Sequence, residues 1–343
     1  MKSAAQIDRY QELYQKTISE SMLFLAHWEL TYSCNLKCRH CYVSKDLGRQ
    51  EFGLDKAKEV INQLRELGCL YLVFSGGEIF CRKDFFEIAS YARDQGFALR
   101  LMTNATKINQ ANIEKIAALL PLAVEISVYA ASSQVHDLIT GVSGSFENTL
   151  HAVQLLRKKG IPVVFKHIVM DANKTELPAV KLLAKEQGAE LLFDFCLVQK
   201  DDGSDQPIQF RLNQEELRMF IDKNNLPLRN SQHSDTLLCS AGLNNIFISP
   251  YLDLHPCIGL KLKLGNLHEV PLRDIWQGSR KLDSLRKLKD SDLTACFNCG
   301  KKGYCFRCQG MAFQESGNYL AASSFDCEVA GVVGGIIREK GGS

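Results

Sequence analysis

The sequence predicts an α/β protein: a run of βα units forming a parallel sheet, followed by a smaller cysteine-rich module. Three observations carry this. Short apolar runs alternate with amphipathic helical segments from residue 27 to about 197. Gly68, Gly96, Gly160 and Gly188 each follow a helical segment, where a left-handed residue ends a helix. Ten of the thirteen cysteines are concentrated in one early loop and in the last third of the chain. With 343 residues, the chain is long enough for one large domain plus a module, and 45% hydrophobic residues supply its core.

The elements follow in order. Residues 4–22 carry Ile7, Tyr10, Leu13, Tyr14 and Ile18 at helical spacing, which predicts a capping helix ahead of a strand at 27–32. Helices are expected at 54–67, 83–94, 109–119, 145–159 and 175–187, and strands at 70–74, 97–102, 123–128, 162–169 and 190–197. Consecutive βα units require a parallel sheet with right-handed crossovers, and chemistry then gathers at the C-terminal strand ends. The polar stretch 201–207 reads as a linker, and a short helix from Asn213 to about 222 bridges to the cysteine-rich module. The expected divisions are a capping helix at 1–25, a core at 26–200, a linker at 201–235, a cysteine-rich domain at 236–330 and a flexible Gly-rich tail at 331–343.

The charge balance, 41 basic against 39 acidic residues, excludes a polyanion-binding surface, so nucleic acid is not an expected partner. No apolar run approaches the roughly 20 residues of a membrane span. The polar N-terminus lacks a secretory apolar region, so a cytoplasmic location is expected, with thiols kept reduced. An odd number of tightly spaced cysteines then points to metal rather than disulfides.

Cys34, Cys38 and Cys41 form C-x3-C-x2-C directly after the first strand. Three local thiolates occupy three corners of a four-iron cluster and leave one iron for a small chelating molecule. A zinc knuckle is the alternative, although closed structural zinc takes four ligands in a C-x2-C rhythm. One βα unit later, strand two ends in Ser75-Gly76-Gly77-Glu78, where glycines permit close backbone approach to a ligand and a carboxylate can bind an ammonium.

These motifs together resemble the signature of radical S-adenosylmethionine (radical SAM) enzymes, with His40 at the usual aromatic place before the third cysteine. The resemblance implies a partial (β/α)6 TIM barrel, a [4Fe-4S] cluster on Cys34, Cys38 and Cys41, and SAM bound to its open iron. It implies reductive cleavage to a 5′-deoxyadenosyl radical that takes hydrogen from a substrate. Gly76, Gly77 and Glu78 are matched to the motif that contacts the SAM amino group. Asn104, Ser127 and Lys166, at the ends of strands three to five, are carried over as SAM contacts. Strand alternation sends only one of Lys166 and His167 into the barrel. Val169 and Met170 are placed near the adenine. Cys69 reads as a buried hydrophobe. Cys81 and Cys196 are candidate catalytic thiols, able to return a hydrogen atom to a substrate radical.

From Cys239 the cysteines return as Cys239, Cys257, Cys296-x2-Cys299-x5-Cys305-x2-Cys308 and Cys327. A single zinc ribbon would use four and strand three. The segment resembles the SPASM domain of radical SAM enzymes that modify peptides, and Gly265-Asn266-Leu267 with Leu272 and Trp276 matches its connector. That resemblance assigns Cys239, Cys257 and Cys308 to a first auxiliary cluster, and Cys296, Cys299, Cys305 and Cys327 to a second. The first set is short of a fourth cysteine, so an open iron or a ligand such as His255 or Asp253 is expected. Leu252 stands where the family has a turn glycine, and one gap is x2 rather than x3.

The expected function is radical SAM modification of a ribosomally made peptide. Side-chain modification of a tetrapyrrole or other cofactor precursor is the enzymatic alternative, and an iron-sulfur electron carrier the non-enzymatic one. Implied partners are a peptide or small-molecule substrate, a flavodoxin- or ferredoxin-type reductant and, because only 33 residues precede Cys34, a separate leader-binding protein or the barrel itself in that role.

Overall fold

The computed structural model describes residues 4–44, 48–224, 226 and 239–340. Helix α1 (Ala4–Ser19) precedes strand β1 (Leu25–Thr31). Five βα steps follow: α2 (Leu54–Glu66), β2 (Tyr71–Gly76), α3 (Phe85–Asp94), β3 (Ala98–Thr103), α4 (Ile113–Ala118), β4 (Ala123–Ser127), the pair α5 (Ser133–Thr140) and α6 (Ser145–Lys158), β5 (Val163–Ile168), α7 (Leu177–Glu186) and β6 (Glu190–Asp194). The C-terminal part contains α8 (Gln214–Lys223), β7 (Asn245–Ile248), β8 (Asp253–His255), β9 (Gly265–Asn266), α9 (Leu272–Gly278), α10 (Arg280–Arg286), α11 (Thr294–Phe297), α12 (Gln309–Ser316) and α13 (Ser324–Glu339).

Strands β1 to β6 pair in sequential order and all in parallel, the arrangement of a partial (β/α)6 barrel. The sheet has nine strands, because β7 adds in parallel to the free side of β1 and β8 and β9 continue antiparallel from it. The cysteine-rich part is thus hydrogen-bonded into the barrel sheet. These strands of four, three and two residues are too short for a period, which is why only six strands were expected.

Alternation along β1 divides the molecule into two faces. Ala26, Trp28 and Leu30 enter the apolar layer between sheet and helices, with Ala57, Val60, Ile61 and Leu64 of α2. Burying each such large side chain stabilises the fold by roughly 1.5–3 kcal/mol before entropy is counted. His27, Glu29 and Thr31 face the barrel interior, which is polar.

The four expected helix-ending glycines all have positive φ, from 61° to 92°. Asn213 caps α8 in a reciprocal capping box with Glu216. Positions 225 and 227–235 of the expected linker, and 236–238 of the expected cysteine-rich domain, lie outside the described residues. The expected flexible tail is corrected as far as residue 339: it is the second half of α13, whose Val332, Val333, Ile336 and Ile337 are buried. Its glycines answer to packing, since a Cβ on Gly334 would stand 2.8 Å from the Tyr304 ring. Among the described residues no helix is long and apolar enough to cross a membrane.

Candidate active site

The 34–41 loop leaves the C-terminal end of β1 and is pinned from two sides. Lys37 and Arg39 donate their amides to the carbonyls of Thr140 and Ile139 at the end of α5. On the other side lies the Gly76-Gly77-Glu78 turn. The amides of Gly77 and Glu78 donate to the carbonyls of Thr31 and Ser33, at 2.7 and 2.9 Å. A Cβ on Gly76 would stand 2.2 Å from the Thr31 oxygen, and one on Gly77 2.6 Å from the Ser33 oxygen. These glycines are therefore required where two backbones meet, at the root of the cysteine loop.

Glu78 is fully buried, and its carboxylate accepts from the Phe80 and Asn104 amides and from the Thr103 hydroxyl. It ties the end of β2 to the end of β3. Both of its oxygens are engaged in that link. Asn104 stands beside the loop, its amide nitrogen 3.2 Å from Asn35 Oδ1 and 3.8 Å from Cys34 Sγ. Cys38 packs against the apolar cluster that contains Tyr129, and the Ser127 side chain counters the rise that burial causes in the Tyr129 pKa. His40 sets its ring edge-on to Tyr129 at 4.7 Å, and burial lowers its pKa to about 4, so it packs as a neutral ring.

Burial raises the pKa of Cys34, Cys38 and Cys41, that of Cys38 to about 12, and the charges of Cys41 and Cys34 push Cys38 further. The two C-terminal sets behave alike. Burial comes first for Cys257, at about 12, where Cys239 and Cys308 add to it, and for Cys305, at about 11, where Cys327 and Cys296 contribute. Backbone amides point at sulfur in all three sets: Leu36 at Cys34, Ala241 at Cys239, Leu260 at Cys257 and Lys301 at Cys299, between 3.2 and 3.5 Å. Thiols that repel one another as thiolates, yet are aimed at by N–H donors, form donor sets suited to a cationic centre. Among the described residues no three His, Cys, Asp or Glu side chains are placed to hold a single metal ion. A four-iron cluster spreads its thiolates over separate irons, so its ligands stand further apart than those of one ion.

Within the barrel, Arg100 donates to Glu125 at 2.6 Å and Lys166 lies 3.5 Å from the same carboxylate. Lys166 thus takes the interior side. His167 lies behind the sheet, its Nδ1 2.9 Å from the Val128 carbonyl, and is fully buried. A polar cavity of about 540 Å³ opens beside β1, β7 and β8, lined by Tyr32, Ser44, Arg49, Asp201, Asp202, Phe247, Ser249, Tyr251, Asp253, His255 and Lys261. Its cations are paired: Lys261 with Asp201 at 2.7 Å, and Arg49 with Asp253 at 2.5 Å.

Neither candidate thiol is among the residues lining this cavity. Cys81 stands beside the cluster loop, its Sγ 3.8 Å from Asn35 Oδ1. Cys196 packs into an apolar cluster with Met311. The structure separates the two.

Glu29, Tyr32, Tyr42 and Tyr129 were not found by motif reasoning, because tertiary packing alone brings them to the loop. Glu29 is fully buried and accepts from the Tyr42 hydroxyl; burial raises its pKa to about 7, against the pull of Lys261 and Tyr42. Protonated Glu29 is the form that folding favours, so its contribution is complete below about pH 4.5 and is lost as pH rises through 7. Glu29→Gln is expected to remove that decline and to make the variant more stable than wild type at pH 8, as anaerobic urea unfolding at pH 5 and pH 8 would measure.

The radical SAM superfamily model matches residues 28–183, and that of the SPASM iron-sulfur cluster-binding domain matches residues 239–300. An AdoMet-dependent heme synthase of Methanosarcina barkeri is 30% identical over 334 residues, covering 86% of this chain and 94% of that protein. The mycofactocin maturase MftC of Mycolicibacterium smegmatis is 28% identical over 327 residues, covering 89% and 82%. Streptococcus suis SuiB, solved with its precursor peptide SuiA, shares the fold with a TM-score of 0.70 at 15% identity, over 92% of this chain and 80% of that one. The chain belongs to the radical SAM superfamily and carries a SPASM domain. It is an enzyme of that class, whose two domains imply SAM and iron-sulfur clusters.

Proposed function

We propose that this enzyme modifies a peptide by hydrogen abstraction, with the cavity beside β1, β7 and β8 receiving the reacting segment. Cys34, Cys38 and Cys41 hold the radical [4Fe-4S] cluster. Cys239, Cys257 and Cys308 belong to one auxiliary cluster, and Cys296, Cys299, Cys305 and Cys327 to another. Bound to the first of these, SAM supplies the 5′-deoxyadenosyl radical. The Gly76-Gly77-Glu78 turn fixes the root of the cysteine loop, Asn104 stands at its near side, Ser127 contributes to the SAM site from the end of β4, and Tyr129 belongs to the cluster against which Cys38 packs. Lys166 is held by Glu125, within the barrel. The implied external donor is a flavodoxin or ferredoxin, and leader recognition falls to the barrel or to a separate protein.

The observation that carries the peptide reading is the cavity wall. Tyr32 and Ser44 flank the radical loop at one side, His255 and Lys261 flank Cys257 at the other, and both cations of the wall, Arg49 and Lys261, are paired with aspartates. A polar wall without surplus positive charge fits an uncharged or zwitterionic peptide segment better than a molecule bearing several carboxylates. The second reading, a tetrapyrrole side chain as substrate, is favoured by the heme synthase relative, which matches along nearly its whole length.

The test uses anaerobically reconstituted enzyme with dithionite and SAM, offered either the peptides encoded beside its gene or an iron porphyrin bearing propionates. Peptide-dependent 5′-deoxyadenosine together with a mass change in the peptide is expected. Turnover of the porphyrin alone would overturn the peptide reading.

A further inference from the structure

On the ligand sets proposed above, the first auxiliary cluster has three cysteines and one iron to spare. Of the two side chains expected to fill that place, one is engaged elsewhere and the other lines the cavity. The Asp253 carboxylate is already engaged by Arg49, Lys263 and Asn266. His255 lies along the cavity wall with its ring tilted against Phe247 at 6.0 Å.

A sulfur from the barrel is better placed. Cys308 is the N-cap of α12, and Met311 lies three residues further on, so the two share one helix face. Cys196, two residues past the end of β6, brings its Sγ to 3.6 Å from Met311 Sδ, and both Cys196 and Cys308 pack against the same apolar cluster. Cys257 approaches the same helix end. A Cβ on Gly310 would stand 2.6 Å from the Gly259 carbonyl carbon, a contact that presses the first turn of α12 onto the turn after Cys257. A Cβ on Gly259 would in turn lie 4.0 Å from Cys257 Sγ. Three thiols, Cys196 from the barrel, Cys257 from the turn after β8 and Cys308 from the α12 cap, thus approach one helix N-terminus, whose free amides favour a negatively charged group.

We infer that Cys196 is the fourth ligand of the cluster held by Cys239, Cys257 and Cys308. Ligation releases the thiol proton, forms an iron–sulfur bond and changes no oxidation state. The cluster is then closed to substrate and suited to electron transfer. Its fourth bond ties the last barrel strand to the SPASM domain, which replaces the expected hydrogen-donor role for this thiol.

The experiment isolates the auxiliary clusters in full-length protein carrying Cys34→Ala, Cys38→Ala and Cys41→Ala, reconstituted anaerobically. Iron per chain and the electron paramagnetic resonance of the reduced protein are read with and without cyanide, a probe for an open iron. In this parent the signals are expected to ignore cyanide. Adding Cys196→Ala makes one signal cyanide-sensitive or removes about four irons. Adding Cys196→Ser, which keeps the side chain's size, shifts the same signal, and adding His255→Ala leaves it unchanged. A parent already sensitive to cyanide, a Cys196→Ala protein indistinguishable from the parent, or a His255→Ala protein that gains the sensitivity would overturn the inference. Cys239→Ala separates the two levels: if it leaves iron at the parent value, the ligand set itself is wrong, whereas loss with Cys239→Ala but no change with Cys196→Ala refutes Cys196 alone.

Discussion

Cys38→Ala is expected to reduce SAM cleavage to background and to lower the iron content by about four per chain. Cys38 is the middle ligand of the proposed radical set and the thiol that burial raises to about 12, with Cys41 and Cys34 adding to the effect. Only a centre of positive charge makes three such neighbours favourable as thiolates. The substitution should act on that centre and little else. The loop backbone around Cys38 is held by the Lys37 and Arg39 amides on the Thr140 and Ile139 carbonyls, and these bonds do not involve the sulfur. Removing one sulfur from a half-exposed loop is expected to cost about 1 kcal/mol of stability or less. Far-UV circular dichroism and the urea midpoint should therefore match wild type while 5′-deoxyadenosine disappears. Cleavage that persists in Cys38→Ala would refute the assignment of the radical cluster.

Much of this site is legible in the sequence for a simple reason: its proposed ligands lie within one loop and one turn. C-x3-C-x2-C needs no tertiary contact to be recognised, and the βα rhythm places it at a strand end. The helices around it are announced by periodic apolar residues and by glycines that turn out to be left-handed. What escapes is whatever depends on packing between distant segments. Helix α5 went unassigned, yet its last carbonyls pin the cysteine loop. Strands β7 to β9 are too short to show alternation, yet they join the two parts of the chain into one sheet. The three glycines of α13 suggested a loose tail and instead make room for neighbours, such as the Tyr304 ring against Gly334. Leu252 is a further case. At the expected glycine position it keeps a left-handed φ of 62° and is fully buried, so the turn retains a glycine-like backbone and the side chain joins the core. Such a conformation costs roughly 1–3 kcal/mol, offset by burying the leucine.

Gly76 and Gly77 sit where two backbone segments come close. The expectation was that they let a ligand approach closely, and the structure shows the Thr31–Ser33 backbone close against them as well. Gly76→Ala follows as the second large effect. Its Cβ would occupy a point 2.2 Å from the Thr31 carbonyl oxygen at a φ of +140°, so neither the backbone nor a rotamer change can relieve the contact. The least costly response is for β1 to move away from β2 at its end, taking with it the Thr31 and Ser33 carbonyls that accept from Gly77 and Glu78. That segment leads directly into Cys34. A displacement of about 1 Å there is expected to lower the rate of 5′-deoxyadenosine formation by about a hundredfold or more. Gly53→Ala is the matched control, because a Cβ there meets nothing within 4 Å and the backbone is already extended. Rate, iron content and the spectrum of the reduced cluster with SAM should all change in Gly76→Ala and stay at wild-type values in Gly53→Ala. If Gly76→Ala keeps its iron and cleaves SAM within a few-fold of wild type, the turn does not position the cysteine loop.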